Sequence, residues 1–224
     1  MSVQFGRVDA VLFDLDGTLV DSAPDLAGAA NDLRAARELG ALPYHALRPM
    51  VGSGARGMIG AAFGLAPGDD EFETLRDEFL QRYEQRLLCE TRVFDAMEPV
   101  LQALDRAGLR WGVVTNKVSR FSAPLVDGLQ LRSRCAVLVS GDSTAHTKPH
   151  PAPLLEAARR LGVAASRCVY VGDDHRDVLA GRSAGMATLA AAWGYLGNGE
   201  GIERWQADAV LQHPRELLRW LDMA

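Results

Sequence analysis

The sequence predicts an α/β fold, a doubly wound and mostly parallel sheet interrupted after its first strand by an inserted helical segment. Three observations carry that expectation. Short apolar runs at Ala10 to Phe13, Trp111 to Val114, Ala136 to Val139 and Cys168 to Val171 each stop on polar or acidic residues. Helix-period segments stand between the later runs, and strands alternating with helices pack as a parallel sheet. From Ala23 to about Arg92 the pattern is helical without a convincing strand.

Composition bounds the function. At 224 residues the chain suits one domain plus an insertion, with apolar content for a sizeable core. Its net charge of −5 comes with no basic stripe, which argues against a nucleic-acid partner. The most apolar late segment, Met186 to Leu196, is too short to span a bilayer, and the amino terminus lacks the pattern of a secretory leader. The expectation is a cytoplasmic protein without a membrane partner. Cys89, Cys135 and Cys168 are scattered, so they read as buried small hydrophobes and not as a disulfide framework or zinc site. The five histidines have no metal-ligand spacing, and no Gly-x-Ser-x-Gly elbow accompanies them.

The first strand, Ala10 to Phe13, ends on Asp14-Leu15-Asp16-Gly17-Thr18. If the chain stays extended, Asp14 and Asp16 share a face; if it turns at Gly17, both still sit at the carboxyl end, where open α/β sheets keep their ligands. Asp-x-Asp-Gly is also a common solvated turn. Two adjacent carboxylates repel at neutral pH, and a hard cation such as Mg²⁺ would relieve that repulsion.

In the helical insertion, Leu75, Phe79, Leu80, Tyr83 and Leu87 recur at helical spacing. Val51-Gly52-Ser53-Gly54-Ala55-Arg56-Gly57 lacks the preceding strand and the Gly-Lys-Ser/Thr of a phosphate loop, and reads as a helix-start turn. A second reading has it face the site, with Arg56 meeting a substrate carboxylate or hydroxyl.

Pro99 to Ala107 reads as a helix, and the next strand ends on Thr115-Asn116-Lys117, where the small hydroxyl and amide donors suit phosphate oxygens. Ala136 to Val139 leads to Lys148-Pro149, after which a helix should begin. Leu154, Leu155, Ala158 and Leu161 mark that helix. The strand Cys168 to Val171 ends at Gly172-Asp173-Asp174-His175-Arg176-Asp177. A helix over about Val178 to Ala184, a strand near Ala187 to Ala190, a Gly- and Asn-rich loop, a strand at Ala209 to Leu211 and a helix after Pro214 complete the alternation.

Together these motifs resemble, in order, the four motifs of the haloacid-dehalogenase-like hydrolase superfamily. The resemblance implies a Rossmann-like core over 1–22 and 93–224 with a helical cap over 23–92. It implies Asp14 as nucleophile, Asp16 as general acid/base, Thr115 and Asn116 on the phosphoryl group, and Lys148 neutralising nucleophile and phosphate. It places Mg²⁺ on Asp14, the main-chain carbonyl of Asp16 and Asp173, with Asp177 in support; Asp174 has no settled counterpart. The reaction implied is hydrolysis of a small phosphate ester through an aspartyl-phosphate.

Within the superfamily the chain is most similar to phosphoglycolate phosphatases. The phrases Gly54-Ala55-Arg56, Trp111 to Lys117 and Gly172-Asp173-Asp174 resemble their relatives that act on N-acetylmuramic acid 6-phosphate. The expected substrate is thus a carboxylate-bearing ester, 2-phosphoglycolate placed first and N-acetylmuramic acid 6-phosphate second. A sugar-phosphate mutase would share every motif. Asp16 counts against a dehalogenase, and Asp16 with the insertion counts against a signalling receiver.

Overall fold

The computed structural model describes residues 8–197 and 199–223. Residues 1–7 of the expected core segment, Asn198 of the Gly- and Asn-rich loop and Ala224 lie outside the described residues.

The first strand, β1 (Ala10–Phe13), is fully buried along its length. That is what a central strand covered on both faces requires, and why its sequence is a continuous apolar run. The chain then turns at Gly17, where φ is +84°, and forms β2 (Val20–Asp21) before entering the insertion. Four α-helices and a 3-10 segment (Arg48–Ser53) make up the described insertion: α1 (Ala23–Ala35), α2 (Tyr44–Leu47), α3 (Gly54–Phe63) and α4 (Phe72–Arg86). On α4, Leu75, Phe79 and Tyr83 are buried, the face that its four-residue spacing predicts. Gly54 opens α3 at φ +61° and ψ −153°, a conformation that is essentially glycine's alone.

The chain returns through β3 (Arg92–Val93), which pairs antiparallel with β2. Two residues per strand give no period, so this ribbon is invisible to pattern reading. Both crossings are tied down. The Tyr195 hydroxyl accepts from the main-chain N–H groups of Ser22 (2.8 Å) and Ala23 (3.0 Å). Buried Asp25 accepts from the N–H groups of Glu90 and Thr91 and from the Thr91 hydroxyl.

Beyond the insertion come α5 (Glu98–Arg106), β4 (Arg110–Val114), α6 (Ser119–Gly128), β5 (Leu138–Val139), α7 (Ala152–Leu161), β6 (Cys168–Gly172), α8 (His175–Ser183), β7 (Ala187–Ala191), β8 (Ala209–Leu211) and α9 (Glu216–Trp220). The expected third strand is shorter than its apolar run, since only Leu138 and Val139 join the ladder. Helix α6 escaped the sequence reading because Pro124, a residue that normally ends helices, lies inside it.

Six strands form one sheet in the order β5-β4-β1-β6-β7-β8, every pair parallel, as the alternation predicted. The chain winds outward from β1 through β4 to β5, then crosses to β6 on the other side of β1. The switch falls beside β1, and a crevice opens outside the carboxyl ends at such a point. No described helix is long and apolar enough to cross a membrane. Of the cysteines only Cys168 is buried; Cys135 is half-buried and Cys89 is exposed, so Cys89 departs from the expectation because it lies just past the end of α4, on the insertion's surface.

Candidate active site

Asp14 follows the last residue of β1, Thr115 the last of β4 and Asp173 the last of β6. Lys148 arrives on the loop between β5 and α7, so three strand ends and one loop converge. The Lys148 ammonium is the centre of this cluster. It donates to Asp177 Oδ1 (2.7 Å), the Tyr170 hydroxyl (2.8 Å) and the Val114 carbonyl (3.1 Å), and lies 2.9 Å from Asp14 Oδ1. Burial works against its charge, but Asp14 and Asp177 outweigh that and hold its pKa above the ordinary lysine value.

Asp14, Asp173 and Asp177 lie with one carboxylate oxygen each within 4.8 Å of one another. Burial pushes Asp14 up to about 6, Lys148 pulling against it and Asp177 adding repulsion. Asp173 is driven well above the carboxylate range by burial and by the charges of Asp14 and Asp177, despite hydrogen bonds from the Tyr195 N–H (2.7 Å) and the Thr18 hydroxyl (2.8 Å). All the donors are hard oxygens, and the anions are destabilised by burial and mutual repulsion. That donor set fits a hard divalent cation.

Close packing holds the cluster. A Cβ at Gly17 would stand 2.2 Å from Asp173 Oδ2. Asp174 caps α8 in a capping box with Asp177 and pairs with Arg176 (2.7 Å), whose guanidinium also donates to the Gly52 carbonyl of the insertion. The acid without a settled counterpart thus starts a helix and braces the contact between insertion and sheet.

Asp16 does not join the acid cluster. Its carboxylate accepts instead from the Ser22 hydroxyl (2.5 Å) and from Lys117 Nζ (2.8 and 3.0 Å). Burial opposes the Lys117 charge, but Asp16 and the Tyr83 hydroxyl overcome it and raise its pKa. Lys117 is the residue that sequence reasoning missed; its only signal was a lysine two residues past a strand end, which usually marks a solvated charge.

The remaining sequence candidates divide. Thr115 is buried at the cluster's edge, its hydroxyl accepting from the Lys117 N–H (3.1 Å). The Asn116 amide is occupied at both ends by the main chain of Lys148, donating to its carbonyl (3.0 Å) and accepting from its N–H (2.9 Å). Arg56 is exposed and lines a neighbouring surface groove that shares Ser53, Asp174 and Arg176 with the main cavity.

That cavity, about 330 Å³, lies between insertion and sheet. Its floor holds Asp14, Asp16, Thr115, Lys148 and Asp173. Its roof is largely apolar, with Leu26, Val51, Phe79, Leu80 and Tyr83 from the insertion and Phe121 from α6.

A buried lysine and three acids thus converge at the strand ends of a parallel sheet, beneath an inserted helical roof. The haloacid dehalogenase-like hydrolase model matches residues 11–191, and the chain belongs to that family. It aligns at 48% identity over 209 residues with a phosphoglycolate phosphatase of Xanthomonas campestris pv. campestris, covering 93% of this chain and 94% of the relative. It is 44% identical over 218 residues to an N-acetylmuramic acid 6-phosphate phosphatase of Pseudomonas aeruginosa, covering 97% and 96%. The crystal structure of a predicted phosphoglycolate phosphatase from Haemophilus somnus superposes with a TM-score of 0.83 at 27% identity, covering 95% of this chain and 97% of that one. Within the family the chain groups with phosphatases.

Proposed function

We propose that this protein hydrolyses phosphate monoesters in two steps through a phosphoryl group carried on Asp14, with Mg²⁺ as its metal and residues 23–92 as a substrate-selecting cap. The observation that carries this reading is the Lys148 ammonium bridging Asp14 and Asp177 on the floor of a roofed cavity.

The protein contacts of Asp14 fall on Oδ1, from Lys148 and the Leu15 N–H. Oδ2 is therefore the oxygen presented for attack. It forms the new P–O bond in line while the ester P–O bond breaks, and Asp16 protonates the departing alkoxide. Asp16 then takes a proton from the water that cleaves the phospho-Asp14 bond, releasing inorganic phosphate and restoring the carboxylate. Lys148 keeps the nucleophile's charge tolerable beside an incoming phosphate, the Thr115 hydroxyl donates to a phosphoryl oxygen, and Asn116 holds Lys148 in place. Mg²⁺, held by Asp14 and Asp173 with Asp177 beside them and the Asp16 main-chain carbonyl as a further donor, would supply positive charge at the transferring group.

For the substrate, a carboxylate-bearing ester is the reading that both relatives' names support. The sequence placed 2-phosphoglycolate first. The cavity favours the second reading, N-acetylmuramic acid 6-phosphate, because about 330 Å³ under an apolar roof reaches the range of pockets for ligands far larger than a two-carbon acid. Arg56, beyond the main cavity, suits a carboxylate distant from the phosphate. The unpaired thiols of Cys89, Cys135 and Cys168 fit a cytoplasmic setting.

A panel of phosphate esters with Mg²⁺, containing both compounds and several sugar phosphates, tests the reading. Release of inorganic phosphate separates a phosphatase from a mutase, and full turnover by chelator-treated enzyme or by Asp14→Asn would sink the mechanism.

A further inference from the structure

Tyr83 on α4 is 1% exposed, and its hydroxyl, which faces the Lys117 ammonium, donates no hydrogen bond among the described residues. The other atom in that condition, Arg134 Nη2, belongs to a guanidinium already bound to Glu98 and Asp105. A buried donor left without an acceptor costs about 1–3 kcal/mol. The residue that carries this one lines the same cavity as Asp14 and Asp16.

Its ring is fixed on three sides. Phe121 lies 5.4 Å away between centroids, Phe79 stacks at 6.4 Å, and Lys117 Nζ sits 4.8 Å from the ring centre. Each cation lining the cavity is already engaged: Lys117 on Asp16, Lys148 on Asp14 and Asp177, and Arg176 on Asp174. A carboxylate pressed against the apolar roof would therefore be a buried charge without a partner, which is costly. A neutral oxygen would not.

We propose that the Tyr83 hydroxyl donates a hydrogen bond to a neutral oxygen, a hydroxyl or an amide carbonyl, on the organic half of the substrate. The site then selects esters that carry such groups near the phosphate over those that carry only a carboxylate there. This rests on the reading of the cavity as a phosphatase site.

Tyr83→Phe keeps the ring and removes the O–H. With Mg²⁺ present, the substitution lowers kcat/KM for N-acetylmuramic acid 6-phosphate at least fivefold more than for phenyl phosphate, whose leaving group offers no second acceptor. Equal losses, or none, overturn the proposal. In the Asp14→Asn background, calorimetry gives a readout that needs no turnover. There Tyr83→Phe weakens binding of the same sugar phosphate at least fivefold relative to inorganic phosphate; an unchanged ratio, or no binding of the ester by Asp14→Asn, overturns it. A shifted binding ratio in a protein whose wild type hydrolyses none of these esters sinks the phosphatase reading and keeps this one.

Discussion

Lys117 Nζ lies 2.8 and 3.0 Å from the two oxygens of Asp16, while its other side rests on the ring of Tyr83. The candidate proton carrier is thus held by a lysine from the end of β4, and that lysine is braced by the insertion. An ammonium so placed fixes the position of both Asp16 oxygens beside the cavity. We expect Lys117→Met to lower kcat by about 10- to 100-fold, within the range that general acid–base groups contribute, with a smaller change in KM. Steady-state kinetics check it, and near-normal kcat would leave Lys117 a structural ion pair.

Asp14 titrates near 6 in the folded chain against an ordinary 3.8, so the native state binds its proton more tightly than the unfolded one. The stabilisation from that proton is complete below about pH 4 and is lost as pH rises through 6. Without metal, Asp14→Asn should therefore be more stable than wild type at pH 7.5, by on the order of 2 kcal/mol. The gap should close as pH falls to 4. Urea melts in chelator at several pH values measure it, and a gap that does not move with pH contradicts the assignment.

Gly17 combines a positive φ with a Cβ position 2.2 Å from Asp173 Oδ2. Gly17→Ala should displace Asp173 or the turn, and so weaken metal binding and cut kcat/KM by more than tenfold. Titrating activity against Mg²⁺ distinguishes the two, since a displaced ligand raises the metal concentration needed for half activity.

Asn116 exchanges two hydrogen bonds with the main chain of Lys148. Asn116→Ala should loosen Lys148 and lower kcat about 3- to 30-fold, whereas a direct phosphate ligand would show chiefly in KM. Inhibition by inorganic phosphate provides the comparison.

The sequence by itself determined the parallel α/β core, because buried central strands must be continuous apolar runs, and it marked Asp14 and Asp173 because charges at the ends of such runs are conspicuous, while Lys148 and Asp177 stood out only through the resemblance to the family's motifs. It could not show the β2–β3 ribbon, too short to have a period, or α6, whose Pro124 reads as a breaker. Nor could it divide the acids. Asp14 and Asp16 are separated by a single residue, yet one pairs with Lys148 and the other with Lys117, and Asp177 joins the acid cluster where the Asp16 carboxylate does not. Those partnerships depend on strands and loops a hundred residues apart meeting at one sheet edge. Local pattern carries no record of such distances, so only the tertiary structure decides them.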